Sequence, residues 1–264
     1  LGFYRTNEQR HIRYASGDAF HQIYYKPLFT RNSWQKEFLN EGADVDDNHI
    51  VLAAKEAFKK NPSKENNLTL VNALYKQFKH HDALSFINEN ENNEDLLYKK
   101  ALIFMKINRL EESNKLLIYL FDNFKRIKYG YKLVLTYYYL KEYKKAYDLL
   151  RELYDLFEND DERVAALFWL MATSIKLGYD NSEVKELFFK YKGELKSAYY
   201  QAVKQYLNKR VEVDVENMNS VDRSIIYYSA SLFDKDNSRE YLNKVLECIN
   251  PWGSSCFLAA LYEK

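Results

Sequence analysis

The feature that most limits the fold of this chain is its shortage of glycine and proline. Its 264 residues include seven glycines and three prolines, whereas an average chain of this length would carry about thirty. Folds rich in tight turns, such as β-sandwiches, barrels and Rossmann folds, use many more. The closest glycines lie fifteen positions apart, as Gly2 and Gly17 do. The sequence therefore excludes glycine-rich phosphate loops and the nucleophile elbow.

Charge and hydropathy further limit the class of protein to which this chain can belong. Lys and Arg number 39 and Asp and Glu number 38, so the net charge is +1. A chain with almost no net charge has no overall electrostatic attraction to nucleic acid or to an anionic membrane. A hydrophobic fraction of 47% is enough for a packed core, and no stretch reaches the ~18–20 apolar residues of a membrane helix. We expect an ordered chain with no nucleic-acid partner and no membrane span.

From residue 46 onwards the hydrophobic periodicity predicts one helix after another. Apolar residues recur at three- and four-residue spacing, with polar breaks between the runs. The first helix begins after the capping stretch Asp46-Asp47-Asn48 and ends at Asn61-Pro62. The later helices are predicted at 66–79, 81–89, 94–108, 110–124, 129–140, 142–157, 161–177, 182–191, 195–209, 221–233, 238–249 and 254–263. Links this short indicate antiparallel neighbours.

Residues 1–45 differ from the rest and form a separate predicted segment. Two runs of aromatic and β-branched residues flank the turn signal Ser16-Gly17-Asp18. One interpretation is a β-hairpin, at the edge of a preceding domain. The other is an irregular arm packed on the first helices. The predicted domains are thus an arm at 1–45 and a helical domain at 46–264.

Small residues recur where the second helix of a pair begins. Ala83, Ser113 and Ala146 each follow a turn and are almost evenly spaced along the chain. Twelve positions before each of them stands another small or branched residue, in turn Val71, Ala101 and Val134. Such a period, with small residues at fixed positions, is typical of helical repeats.

This pattern resembles the tetratricopeptide repeat (TPR), a helix–turn–helix unit of about 34 residues. The best match is Tyr129 to Glu158, and the resemblance covers about 50–264. The chain departs from the family because the glycine after the first leucine is absent and several repeats differ from the family length. The resemblance implies an all-α fold, a right-handed superhelix of helix hairpins in which small residues let paired helices approach closely. Other solenoids of α-hairpins stay open.

The resemblance also implies a candidate binding surface, because the first helix of each repeat lines the concave face in this family. The residues at those positions are Asn72, Tyr75, Lys76, Tyr98, Lys106, Tyr131, Tyr138, Tyr139, Trp169 and Lys176. Aromatic anchors with regularly placed lysines are typical of a groove that binds an extended segment or a helix, and the lysines favour an acidic partner. Asn72 and Lys76 resemble part of the clamp that some family members use on a terminal carboxylate. The alternative is that these aromatic residues pack within the solenoid.

Cys248 and Cys256 flank a turn and lie eight positions apart. That spacing matches neither a redox pair nor a zinc site. One interpretation is a disulfide across the turn, which would place the chain in an oxidising, extracytoplasmic compartment. The alternative is two separately buried thiols, which would fit the cytoplasm.

The sequence offers no constellation for catalysis. The five histidines form no metal-ligand pattern, and the adjacent pair His80-His81 is expected to be solvated in a turn. We therefore expect no enzyme activity, no metal and no cofactor. The interpretation that fits best is a non-catalytic scaffold that binds a protein or peptide. The alternatives are an oligomerising solenoid within a larger assembly and a regulatory domain beside a catalytic domain outside this chain.

The last predicted helix, 254–263, lacks the second helix of its repeat. Its residues 257–261 carry no charge, so it is a poor cap for a solenoid. We expect either that the native protein continues past residue 264 or that this helix docks on a second copy of the chain.

Overall fold

A computed structural model describes residues 47–88, 91–191, 197–211, 214–248 and 254–263. These residues form thirteen α-helices and no strand. The helices are α1 Asp47–Lys60, α2 Lys64–Lys76, α3 His80–Ser85, α4 Glu94–Lys106, α5 Leu110–Phe124, α6 Ile127–Tyr139, α7 Tyr143–Tyr154, α8 Asp160–Leu177, α9 Ser182–Phe188, α10 Ala198–Asn208, α11 Ser220–Phe233, α12 Ser238–Glu247 and α13 Ser255–Glu263. The predicted arm at 1–45 lies outside the described residues.

One turn conformation recurs at the end of five helices. A residue with positive φ follows each of them, in turn Phe78, Asn108, Lys141, Gly178 and Lys209, with φ between 53° and 68°. The backbone N–H of the next residue donates to the carbonyl five residues earlier, at 2.9 Å in four cases and 3.1 Å in the last. This is the Schellman closure of a helix. Four of the five residues are not glycine, although the left-handed conformation disfavours a side chain.

The packing between paired helices is also repeated. Ala83, Ser113 and Ala146 have no exposed surface, as the sequence pattern predicts for positions where two helices cross. The Ser113 hydroxyl donates to the carbonyl of Ala101 at 2.8 Å, across the pair α4 and α5. Adjacent helices therefore approach closely enough for a side chain of one to reach the backbone of the next.

The described residues fall into two compact units, with the boundary inside α5 between Leu116 and Leu117. In the first unit, α1 packs on α2, and α2 also contacts α3 and α4. The centre of this unit is a cluster of buried aliphatic side chains with one buried aromatic ring: Val51, Ala54, Leu70, Val71, Leu74, Leu96, Ile103 and Phe104. The packing of α2 on α4 brings side chains of both helices to one surface.

In the second unit, consecutive helices pack in pairs and alternate helices also touch. Helix α7 contacts α6 and α8, α8 contacts α10, and α11 contacts α10, α12 and α13. Gly130 lets α6 approach its neighbours, because a Cβ atom there would lie 2.8 Å from Leu153 and 2.9 Å from Phe121. Helix α13, the last described helix, packs against α6. This contact determines which side chains of α6 are exposed.

Candidate functional site

Three of the predicted groove residues lie in the core of the second unit. Tyr138, Tyr139 and Trp169 are 2%, 4% and 0% exposed. Their rings contact one another, with centroids 5.0 Å apart for Tyr138 and Trp169 and 6.5 Å apart for Tyr139 and Trp169. The prediction that these three rings line an open groove is wrong for this structure. They pack within the helical array, which was the alternative interpretation.

The physical reason is that α13 covers the face on which these rings lie. The Tyr139 hydroxyl donates to the carbonyl of Ser255 at 3.0 Å, and its ring centroid lies 5.4 Å from that of Tyr262. The hydroxyls of Tyr138 and Tyr228 are 2.7 Å apart. All side chains from Cys256 to Leu261 are at most 4% exposed. An apolar helix is thus buried against its own chain, which removes the ground for expecting it to dock on a second copy.

Lys176 was predicted to attract an acidic partner, but its charge is paired within the unit. Its ammonium lies 2.9 Å from the carboxylate of Glu263, and the two side chains are 25% and 15% exposed. The hydroxyl of Tyr228 donates to the same carboxylate. Lys176 therefore joins α8 to α13 through an ion pair, and its charge is neutralised by Glu263 before any partner binds.

The first unit brings together most of its predicted residues and leaves them partly open. We define the α2–α4 patch as Asn72, Tyr75 and Lys76 of α2 with Tyr98 and Lys99 of α4. Lys76 is exposed and the other four side chains are half-buried. The ammonium of Lys99 lies 4.5 Å from the ring centroid of Tyr75, a cation–π contact between the two helices.

Two sequence expectations change at this patch. Lys106 is only 8% exposed, so it does not belong to the exposed patch. Lys99 was missed, because the repeat register does not assign its position on α4 to the concave face. Its long flexible side chain nevertheless reaches the surface. A lysine next to a groove tyrosine is the sequence signal that could have found it.

The patch is positively charged and its hydroxyls are neutral. Burial raises the pKa of Tyr98 to about 12, and burial together with Tyr98 raises the pKa of Tyr75. Burial and the charge of Lys76 lower the pKa of Lys99, with a smaller opposing effect from Asp95. Over the described ranges, no carboxylate lies within ion-pair distance of Lys76 or Lys99. The patch therefore offers two cations and two aromatic rings to an incoming group.

His80 supports the patch from beneath. The sequence predicted a solvated histidine in a turn, but His80 is 3% exposed and its ring centroid lies 5.5 Å from that of Tyr75. His81 is exposed, as expected. Among the residues that the structure describes, no group of three or more His, Cys, Asp or Glu side chains is placed to hold a metal ion.

The two cysteines are free thiols, so the predicted disulfide between Cys248 and Cys256 is absent from the structure. Both are buried, as the alternative interpretation had it. Burial raises the pKa of Cys248 to about 11 and raises that of Cys256 well above its usual range. Both thiols are therefore protonated and weakly reactive at neutral pH.

None of the described helices is both long enough and apolar enough to cross a membrane. Comparisons of the chain with protein-family models, with curated proteins and with solved structures found no match. The function is therefore inferred from the α2–α4 patch.

Proposed function

We propose that this chain is a non-catalytic helical-repeat scaffold that binds an acidic segment of another protein at the α2–α4 patch. The observation that carries the proposal is the pair Lys76 and Lys99, which form no ion pair within the described part of the chain and stand beside two half-buried tyrosines. Aromatic anchors such as these tyrosines are enriched at protein interfaces, and the charge of the two lysines favours an acidic partner.

The charges indicate what the partner segment carries. Burial disfavours the charged form of Lys99, and so does the charge of Lys76. A carboxylate placed between the two ammonium groups would favour both charged forms and would relieve this repulsion. Such complementarity raises the rate of association and sets specificity.

The tyrosines supply the remainder of the contact. Tyr75 and Tyr98 each present a rigid ring with a neutral hydroxyl, so they contribute contact area at low entropic cost. Asn72 on the same surface can donate and accept hydrogen bonds to a peptide backbone. We propose that the segment lies across α2 and α4 with its acidic side chain between the lysines.

The proposed scaffold is a TPR-like superhelix of helix hairpins. Three features support it: the Schellman closure that recurs at nearly regular intervals along the chain, the small buried residues at the helix crossings, and the contacts between alternate helices within each unit. The alternative of an oligomerising solenoid has no observation in its favour, because the apolar side chains of α13 are covered within the unit.

The test is a charge reversal with a matched control in the same unit. The intact chain is immobilised and its captured partner identified, and binding is then measured for Lys76→Glu/Lys99→Glu and for Lys55→Glu/Lys60→Glu. Both variants change the net charge equally, but Lys55 and Lys60 lie exposed on α1, outside the patch.

We expect the patch variant to lose at least about tenfold in affinity, and the control to stay within about twofold. Circular dichroism should show equal helicity in both variants. Equal losses in both variants would mean that only net charge matters, and unchanged binding in both would place the partner elsewhere. Either result would overturn the proposal.

A further inference from the structure

A polar cleft lies in the second unit, at the end where α7 and α9 finish and α8 begins. Its volume is about 390 Å³, which falls within the size range of small-molecule sites. We define the α7–α9 cleft by the residues that line it: Tyr154, Asp155, Asp160, Arg163, Leu187, Lys190 and Tyr191. Each of these side chains is half-buried or exposed, so a ligand can reach them from solvent.

The side walls of the cleft are α7 and α9, and side-chain contacts hold the two helices together about one turn before they end. The guanidinium of Arg151 lies 3.0 Å from the carboxylate of Glu183, and the Tyr147 hydroxyl donates to the same carboxylate at 2.9 Å. Beyond α9, the backbone N–H groups of Lys190 and Tyr191 each donate to the carbonyl three residues back at 3.2 Å. The chain itself therefore sets the spacing of the walls before a ligand binds.

Two tyrosine hydroxyls meet at one side of the cleft. The hydroxyl oxygens of Tyr154 and Tyr191 are 3.0 Å apart, so one hydroxyl donates to the other. This bond uses one of their two protons, and the pair can donate the second to a ligand. Burial raises the pKa of both tyrosines, which keeps the hydroxyls neutral. Together with Leu187, the two rings give the cleft an apolar part.

The charged side chains of the cleft are balanced, with Arg163 and Lys190 against Asp155 and Asp160. The side chain of Asn159 caps α8, so Asp160 and Arg163 stand on one face of its first turn. The nearest atoms of the Arg163 guanidinium and the Asp160 carboxylate are 3.5 Å apart. That distance is longer than the ~2.7–2.9 Å of a direct hydrogen bond between charged groups. Both side chains therefore keep hydrogen-bonding capacity for a ligand.

This arrangement matches a ligand that carries both charges close together. An α-amino acid bears its carboxylate and its ammonium on the same carbon atom. A carboxylate alone would be attracted by Arg163 but repelled by Asp160, and an amine alone would meet the reverse. A zwitterion placed head to tail against this pair is attracted by both side chains.

We propose that the α7–α9 cleft binds a free α-amino acid with an apolar side chain. The ligand carboxylate pairs with the guanidinium of Arg163, and the ligand ammonium pairs with the carboxylate of Asp160. The ligand side chain lies against Leu187 and the rings of Tyr154 and Tyr191. This inference goes beyond the proposed function and shares no residue with the α2–α4 patch, so either proposal can fail without the other.

The test is an NMR titration of the full chain labelled with ¹⁵N. The variant Arg163→Lys identifies the side-chain Nε–H signal of Arg163 by its absence, and that signal then reports on the cleft. The probes are L-phenylalanine, 3-phenylpropionate, which lacks the ammonium, and 2-phenylethylamine, which lacks the carboxylate. All three carry the same ring and chain, so they differ only in charge.

We expect L-phenylalanine to move the Arg163 signal in a saturable manner, with a Kd on the order of 1 mM for a ligand of this size. Both analogues should bind at least about tenfold more weakly, because each is repelled by one member of the pair. Equal binding of either analogue would mean that the cleft recognises a single charge. A signal that no probe moves would mean that the cleft takes no ligand of this class. Each of these results overturns the inference.

Asp160→Asn keeps the shape of the side chain and removes the partner of the ligand ammonium. It should weaken the binding of L-phenylalanine at least about tenfold and strengthen that of 3-phenylpropionate, because the carboxylate is no longer repelled. The control Glu240→Gln removes the same charge from an exposed ion pair on α12, where Glu240 lies 2.6 Å from Lys244. It should leave both affinities within about twofold. Unchanged backbone amide signals outside the cleft show that each variant is folded, and equal effects of the two variants would contradict the proposed site.

Discussion

At the scale of single residues, the helix-ending turns are the most informative positions. Phe78, Asn108, Lys141 and Lys209 adopt the left-handed conformation without being glycine. Each therefore holds a backbone conformation that its own side chain disfavours, and the bond from the next N–H to the carbonyl five residues back compensates. Such positions are places where stability can be gained.

Lys141→Gly is expected to stabilise the chain by roughly 1 kcal/mol, because glycine has no Cβ to clash in this conformation. Urea unfolding followed by circular dichroism measures the change. Glu152→Gly is the control, since Glu152 is exposed within α7 and a glycine in a helix costs up to about 1 kcal/mol. Destabilisation by both variants would argue against the left-handed turn at Lys141.

Ala146→Leu tests the crossing of α6 and α7. Ala146 has no exposed surface, so three added carbon atoms must displace neighbours, and we expect a loss of roughly 1–3 kcal/mol in the free energy of unfolding. Ala57→Leu, at an exposed position of α1, should be close to neutral in the same assay. A neutral Ala146→Leu would contradict the repeat register.

At the scale of helices, α13 determines what the second unit exposes. Its contacts with α6 join residues 116 positions apart, as in the bond from Tyr139 to Ser255. The pair Lys176 and Glu263 adds a charge contact that is mostly shielded from solvent. Ion pairs of this kind contribute more than exposed ones because water screens them less.

A double-mutant cycle with Lys176→Met and Glu263→Gln measures that contact. We expect a coupling of about 1 kcal/mol between the two side chains. The control cycle uses Lys144 and Asp148, an exposed pair on α7 with side chains 60% and 50% exposed, for which we expect a weaker coupling because water screens the two charges. Equal coupling in the two cycles would mean that α13 does not shield Lys176.

The helices themselves were predictable, because each is encoded by local periodicity and capping. Asn93, Asn159 and Asn219, for example, accept the backbone N–H three residues on, at the starts of α4, α8 and α11. The exposure of the groove residues was not predictable in the same way. Whether Tyr138 is open or buried depends on α13, and no local pattern shows which distant helix will cover a given face.

The residues of the α2–α4 patch illustrate the same limit. The repeat spacing places Tyr75 and Tyr98 on neighbouring helices, and both are half-buried. Lys106 and Lys99 were misjudged because the course of a long side chain depends on its surroundings.

At the scale of the whole molecule, the dominant chemical feature is tyrosine. The chain has 24 of them, and burial holds the pKa of Tyr138, Tyr139, Tyr199 and Tyr228 well above the ordinary value of 10. These hydroxyls are neutral in the folded protein and take part in its polar contacts. Folding therefore depends on keeping them protonated.

We predict that stability falls as the pH rises above about 10. A tyrosine whose pKa is raised on folding contributes stability that is fully present below the unfolded pKa near 10 and is lost as the pH approaches the folded value, about 12 for Tyr98 and Tyr143. Lys99 and Lys132 act in the opposite direction because burial lowers their pKa, but the buried tyrosines outnumber them. Urea midpoints measured between pH 8 and 11 test this, and a midpoint independent of pH above 10 would contradict it.

Helix α13 closes the aromatic face of the second unit, and the reactivity of Cys256 measures this closure. Cys256 lies on α13 with no exposed surface, and the variant Cys248→Ser leaves it as the single thiol of the chain. The measurement is its rate of reaction with Ellman's reagent at neutral pH, in native buffer and in urea. We predict a native rate at least about a hundredfold slower than the unfolded rate, because the thiol reacts only when α13 is released. Reaction at the rate of an exposed thiol would show that the aromatic face is open and that α13 does not cover it.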